Sequence, residues 1–497
     1  MQNFMKKRLN PWLPAAFAGL ALFLSSCGKD VYDGEVQQWE VPESTLENVL
    51  RESHYTPDEF VDALGAPSMT AWLESLVPEA LPIAEVLMRA NVLSHLPALD
   101  REFAEECGAS GLAKRRWEIQ SYTFSYRSQS VDGREILLSG RVTFPNNTVD
   151  NIDHQVKTLS LHTHQALLYS EWAPSENLMF MPLRALWDSA VIEPDLQAWG
   201  ISRGKEYDAC GSSVVQAKQL TDCVVAALEI MRQHGVSLAP DGYTTSWGSS
   251  QTASVPLAFA RWYETQAPQG FKDQLRLRST FVGEGVYDLP DVMRNHVFLR
   301  PDQIPNNMFF LLSYPHAFSS AQYGGFTSED FLAPWLWQQK VQLPDGSEVS
   351  MPKAYGMGYY DLADAETLNA IKTFDGILAG DMITADGKVD WDSPKVCSWM
   401  SCLERHNDLS GWAPKHPIYI VHSREDDMLP YEFAYRCYRR LSDFGQNPQV
   451  HMMRFPDMGE IELEGVTPHH VASFLIQIGM ACVKEPEDLM KIFKPVK

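Results

Sequence analysis

The sequence predicts an α/β fold: a mainly parallel sheet with helices on both faces, an N-terminal helical extension and a long insertion late in the chain. Two observations predict the core. Short apolar runs of strand length alternate with stretches of helical period between residues 158 and 455, the pattern of strands joined by crossover helices. Within that alternation a strand meets a helix through a turn of small residues, Gly248-Ser-Ser-Gln-Thr252. Composition sets the scale, since 497 residues with 45% hydrophobic side chains suffice for one large domain with a sizeable core.

The first residues stand outside that fold. Lys6-Lys-Arg8 form a basic start, Trp12 to Leu24 an apolar stretch too short for a membrane span, and Leu24-Ser-Ser-Cys27 ends it. This reads as a signal peptide over residues 1–26. Its ending resembles a bacterial lipobox, in which Cys27 carries the lipid and becomes the new N-terminus. The expected location is the bacterial cell envelope, periplasmic or at the outer-membrane surface, with the membrane as a partner through that anchor. Removing residues 1–26 takes away three basic and no acidic residues, so formal net charge falls from −23 to −26. An acidic chain without a basic, aromatic-interleaved patch argues against nucleic acid as a partner. Seven cysteines remain beyond Cys27, an odd number in an oxidising compartment, and the close pairs Cys210/Cys223 and Cys397/Cys402 are candidates for local bridges.

Residues 27–116 read as a linker and helical extension. Thr56-Pro-Asp-Glu59 is a capping box with proline at the first helical position, Gly65 is its stop, and Ser68–Leu76 and Leu81–Val92 carry further apolar helical faces. A second unit, 117–497, follows. Trp117 to Tyr126 alternates at period two and, with Asp132-Gly133 as turn and Glu135–Phe144 as return, predicts an antiparallel pair at the domain's edge. Thr158–His162 is a short apolar strand, and Asp188–Ser202 another, closed by Pro194-Asp195 and Gly200. Cys210–Gln233 has helical spacing, with Val214, Ala217, Leu220, Val224, Ala227 and Leu228 on one face. Strands are expected again at Gln274–Gly283, Pro417–His422 and Gln449–Phe455. Between the first two of these lies the insertion, residues 288–408, rich in aromatics such as Phe310, Tyr314, Trp335 and Trp337.

The Gly248 turn carries the chemistry. A serine hydroxyl is a poor nucleophile unless held exposed beside a base and a helix N-terminus. A G-x-S-x-G turn does this, and here Ser250 sits two residues after Gly248, with Thr252 where the second glycine belongs. The bland alternative is a small-residue turn opening a buried helix. His162-Thr-His164 places two histidines on one strand face, a possible zinc pair, but no further His or Asp ligand follows nearby, so no metal and no cofactor is expected.

With the elbow, two later segments make the chain resemble the α/β-hydrolase superfamily, and within it the secreted bacterial esterase and lipase-like members, over roughly residues 117 to 485. Pro417-Ile-Tyr-Ile-Val-His-Ser-Arg-Glu-Asp426-Asp-Met-Leu-Pro430 is similar to the family's acid-bearing strand and loop, and Gly465-Val-Thr-Pro-His-His-Val-Ala-Ser-Phe474 to its late histidine loop. The order Ser, Asp, His is the family's own. The resemblance implies Ser250 as nucleophile, Asp426 as the acid and His470 as the base. Asp426 is preferred to Asp427 for its spacing to Pro430, and His470 to His469 because Val471 follows it into the last helix. It also implies an oxyanion hole from the backbone N–H of Gln251 and an amide near Thr163 or His164, and a lid formed by the 288–408 insertion. The expected activity is hydrolysis of a small-molecule carboxylic ester. A serine peptidase or amidase on the same fold, and a non-catalytic binding lipoprotein that keeps it, stay open as alternatives.

Overall fold

The structure, a computed structural model, describes residues 39–56, 59–60, 63, 118–146, 154–164, 172–178, 181–304, 307–318, 325–362, 365–407, 409, 412–443, 445–454, 469, 472–473, 476–477, 480–481 and 494–495. The expected signal peptide, Cys27, the helices expected at 68–76 and 81–92, and His470 lie outside the described residues. Among the described residues no helix is long and apolar enough to cross a membrane.

Ten strands form one sheet: β1 (Leu46–Tyr55), β2 (Glu118–Gln129), β3 (Glu135–Asn146), β4 (His154–Thr163), β5 (Ser189–Pro194), β6 (Val236–Ser249), β7 (Leu277–Gly283), β10 (Ile418–His422), β11 (Val450–Arg454) and β12 (Lys494–Pro495). A separate hairpin, β8 (Lys340–Gln342) and β9 (Glu348–Ser350), turns at Pro344-Asp-Gly346 inside the insertion. The sheet order is β1-β2-β3-β5-β4-β6-β7-β10-β11-β12. From β5 to β11 every neighbouring pair is parallel. The chain crosses from β4 to β5 on one side and returns to β6 on the other, so the order reverses between β4 and β6. In open α/β sheets, ligands bind at the C-terminal strand ends beside such a switch point.

Alternation along the strands gives each face its own core. Leu159, Leu161, Ile192, Val282, Ile418 and Ile420 pack against helices α1 (Ser213–Gln233) and α2 (Ser254–Thr265). Helix α1 starts where Ser212 caps it, accepting from the Val215 N–H, and buries the predicted Ala217, Leu220, Val224 and Ala227. On the other face Val191, Trp247, Phe281, Tyr419 and Val421 share a core with the insertion, including its helices α3 (Met308–Phe318) and α4 (Pro394–Asn407). The insertion's Phe310, Tyr314 and Phe331 are buried in that core, as is Trp399 of α4, so these aromatics fill the layer over the sheet.

A ladder of rings fixes the register on that face. Trp247 stacks on Phe281 at 4.6 Å between centroids, Phe281 on Tyr419 at 4.4 Å, and Tyr419 on His451 at 4.9 Å, each pair directly opposite across adjacent strands. Such stacks contribute about 0.5–1.5 kcal/mol each beyond their burial. A one-residue slip of β7 would turn Phe281 to the opposite face and lose two of them.

The expected segments recur with three corrections. Leu46–Tyr55, inside the segment expected to be linker and helix, is a strand paired antiparallel with β2, so β1 and not the β2–β3 hairpin is the sheet's edge. Both sides of β1 face outward over most of its length, so no alternation marks it. The Thr56 capping box does form, with Glu59 accepting from the Thr56 N–H at 2.8 Å and the Glu59 N–H reaching the Thr56 hydroxyl at 3.3 Å. Second, Gln274 and Leu275 close a short helix, and β7 starts only after the left-handed Arg276. Third, Cys210, Cys223, Cys397 and Cys402 are thiols, so neither local bridge forms.

Candidate functional site

Strand β6 ends at Ser249, and the chain turns at Ser250–Thr252 into α2. Ser250 takes φ = +52°, a left-handed conformation unusual for a residue with a Cβ. The turn is this tight because Gly248 lies against β4 and α2: a Cβ there would sit 2.7 Å from Thr163 Oγ1 and 2.8 Å from Pro256 Cγ. Ser249 is fully buried, and its hydroxyl accepts from Gln477 Nε2 at 3.0 Å. Ser250 alone of the two projects from the turn, partly exposed.

Ser250 Oγ lies 3.1 Å from His469 Nε2, and His469 Nδ1 lies 2.7 Å from Asp426 Oδ2. The residues come from the end of β6, the C-terminal segment and the loop after β10. The histidine at this place is therefore His469 and not the expected His470. His469 is buried, and its N–H is directed at Asp427 Oδ1 at 3.4 Å. Asp426 rather than Asp427 reaches the ring. Its other oxygen accepts the N–H groups of Met428 and Leu429 at 2.9 and 2.7 Å. Burial opposes its charge, yet His469 and the hydrogen bonds from His422 and His469 hold Asp426 well below the usual carboxylate range. Burial likewise works against a charged His469, but Asp426 outweighs it and the imidazole is shifted upward.

Behind Asp426 lie two more buried titratable groups. His422 Nε2 donates to Leu429 O at 2.7 Å and lies 3.3 Å from Asp426 Oδ2. Glu284, at the end of β7, accepts the Ser423 N–H at 2.5 Å. One donor atom each from Glu284, His422 and Asp426 falls within 4.8 Å, close enough for a metal by distance alone. Asp426 Oδ2 and His422 Nε2 are already engaged, with His469 Nδ1 and Leu429 O respectively, so a cation bridging them would have to displace both contacts.

Thr252, where a second glycine was expected, is accommodated through its hydroxyl, which reaches His164 O at 2.6 Å and Thr163 Oγ1 at 3.1 Å. The β-branched side chain pins the end of β4 to the start of α2. His162 and His164 do not converge: His162 Nδ1 meets Glu193 at 3.0 Å, and His164 Nε2 donates to Asp195 O at 2.6 Å. Gln251 directs its side chain to the buried Asp208, Nε2 to Oδ2 at 3.3 Å, and Tyr360 of the insertion donates to the same oxygen at 2.8 Å. Burial pushes the Asp208 carboxyl up to about 6. Sequence reading missed Asp208, Glu284 and His422. Only Glu284 had a visible signal, an acid between two glycines at a strand end.

No family model matches the sequence, and no curated protein matches it. Solved structures do resemble it. A ligand-bound form of the rice cell wall degrading esterase LipA from Xanthomonas oryzae superposes with a TM-score of 0.57 at 17% identity, covering 90% of this chain and 99% of that one. A Legionella pneumophila protein designated a candidate hydrolase superposes at 0.56 with 15% identity, covering 90% and 98%. At such identities the likeness is one of fold. With a parallel sheet in this strand order, the chain has the α/β-hydrolase fold shared with those structures.

Proposed function

We propose that the chain is a serine hydrolase that cleaves a carboxylic ester through Ser250, His469 and Asp426. The observation that supports this reading most is the continuous Ser250–His469–Asp426 hydrogen-bonded line, met at a strained turn at the C-terminal edge of the sheet. Ser250 Oγ attacks the ester carbonyl while His469 Nε2 takes its proton. Asp426 holds the ring in the tautomer with hydrogen on Nδ1 and stabilises the imidazolium. The imidazolium then protonates the leaving alkoxide, leaving an acyl-enzyme that water releases by the same steps. The oxyanion of each tetrahedral intermediate is held by the Gln251 N–H and by an amide at the Thr163–His164 strand end that Thr252 pins. One such donor lowers the barrier by roughly 3 kcal/mol.

The insertion is the part of the molecule that selects the acyl or aryl group, and residues 1–26 with Cys27 direct the enzyme to the cell envelope as a lipid-anchored protein. A fluorophosphonate probe tests the core of the proposal. Stoichiometric labelling that maps to Ser250 and vanishes in Ser250→Ala is expected. An unlabelled wild-type protein would favour a binding lipoprotein instead, and faster turnover of an aryl amide than of the matching aryl ester would favour a peptidase.

A further inference from the structure

We infer that Glu284 is a positioning residue for the proposed reaction, acting as a neutral acid that donates a hydrogen bond to Asp426. The inference rests on the hydrolase reading above. Glu284 is fully buried at the C-terminal end of β7, one strand over from the strand that carries Asp426. It adopts φ = +40°, a left-handed backbone between Gly283 and Gly285. That turn also holds the elbow: the Val286 N–H donates to Ser250 O at 3.1 Å, and a Cβ on Gly285 would come 2.9 Å from the same carbonyl. The loop that carries Glu284 is thus the backing of the nucleophile.

The hydrogen-bond inventory leaves one role for the second Glu284 oxygen. Oε1 accepts from Ser423 N–H, while Oε2 is buried with no conventional donor. Its nearest ring nitrogen, His422 Nε2, is 3.6 Å away and is already directed at Leu429 O. What remains beside it is the Asp426 carboxylate. Two carboxyl groups sharing a buried site do not both ionise readily, and one proton between them satisfies both. The proton belongs on Glu284. Asp426 accepts from His469 and two backbone amides and lies 3.3 Å from the His422 ring, whereas burial and the Asp426 charge push Glu284 well above the usual carboxylate range. The other titratable groups facing the pair are Tyr287 beyond β7, His296 from the insertion beside Asp426, and Asp427 beside His469. Tyr287 itself is anchored by donating to Val421 O at 2.9 Å.

A neutral donor in this place fixes the Asp426 carboxylate plane toward His469 and draws off part of its charge. Glu284→Gln keeps a donor, whereas Glu284→Leu removes it while keeping bulk. The test compares both with wild type on p-nitrophenyl acetate, together with thermal unfolding and fluorophosphonate labelling of Ser250. Glu284→Gln is expected to retain kcat within about threefold and the same acid limb in kcat/KM. Glu284→Leu, where it remains folded, is expected to lose on the order of tenfold or more in kcat at little change in KM, with the acid limb moved upward as the lone Asp426 charge grips His469 harder. An acid limb that moves downward in Glu284→Gln would mean that Glu284 is ionised in the wild type and would overturn the inference. So would a folded Glu284→Leu protein with wild-type kcat and pH profile. Failure of the hydrolase reading is separate, because it appears as wild-type protein that neither labels at Ser250 nor turns over the ester.

Discussion

Two buried aspartates flank the elbow, and they live in opposite electrostatic worlds. Asp426 faces donors on every side and is held ionised, ready to orient a base. Asp208 is equally buried but meets only neutral donors, the Tyr360 hydroxyl, the Gln251 amide and the Cys210 N–H, and burial wins, lifting it to about 6. The contrast teaches that depth alone does not assign a carboxyl its role; the cationic or neutral character of its neighbours does. Asp426 couples the C-terminal segment to the nucleophile. Asp208 couples the insertion to Gln251, the residue whose backbone N–H is proposed to hold the oxyanion.

The largest expected effect lies on the Asp426 side. Ser250→Ala and His469→Ala should each lower kcat by on the order of 10⁴-fold or more, measured on an aryl ester, while Ser249→Ala and His470→Ala keep most activity. Asp426→Asn should cost about 10⁴ in kcat through the wrong imidazole tautomer, the handicap found when such an acid is neutralised in other serine hydrolases. Asp427→Asn should stay within a few-fold. Because the His469 imidazole is shifted upward, the acid limb of kcat/KM should fall above the ordinary histidine value, with activity rising as pH rises through it. A limb below that value would break the contrast between the two acids at its stronger end.

The Asp208 side is read through stability. Its folded carboxyl holds a proton to about pH 6, whereas in the unfolded chain it releases it near 3.8. Between those values the native state binds more protons than the unfolded one, so this group's contribution is complete below about 3.8 and is lost as pH rises through 6. The shift corresponds to on the order of 2–3 kcal/mol. Asp208→Asn should therefore flatten the fall in Tm between pH 4 and pH 7 relative to wild type. Asp426 acts with the opposite sign: its depressed carboxyl adds stability that is present above about 3.8 and is lost as pH falls below it, so Asp426→Asn should flatten the loss of Tm on acidification below about pH 4.

The sequence made the Asp426 side largely visible and the Asp208 side not at all. Gly248-Ser-Ser is legible because a strained turn restricts residue types within five positions. Asp426 was legible because a short loop fixes its spacing to Pro430. The choice between His469 and His470 was not, since both are equally placed in the chain and only tertiary packing decides which ring turns inward. Asp208, Gln251 and Tyr360 meet across 152 positions of sequence between the acid and the tyrosine, so no local pattern announces them. Strand β1 was missed for a related reason: a strand exposed on both faces owes its form to its partner, not to its own periodicity.

The smallest expected effects lie farther out in the insertion and sharpen its part in the comparison. Tyr360→Phe removes a donor from Asp208 without creating a cavity, and should lower kcat a few-fold through Gln251 while leaving acyl preference alone. Trp335 is different. Its indole N–H donates to Gly376 O at 2.9 Å, within the insertion itself, and its ring is only partly buried against the core. Trp335→Ala should cost roughly 1–3 kcal/mol in stability, below the 3–5 kcal/mol of a fully buried tryptophan, because part of its surface already meets water. Kinetically it should change KM and the preference between short and long acyl p-nitrophenyl esters by a few-fold, with kcat for the acetate near wild type. The separation follows from the contacts: Tyr360 reaches the elbow through Asp208, and the Trp335 hydrogen bond stays inside the insertion. An equal loss of kcat for every chain length in Trp335→Ala would mean that the insertion acts on the reacting centre as a whole, and its assignment to substrate choice would fall.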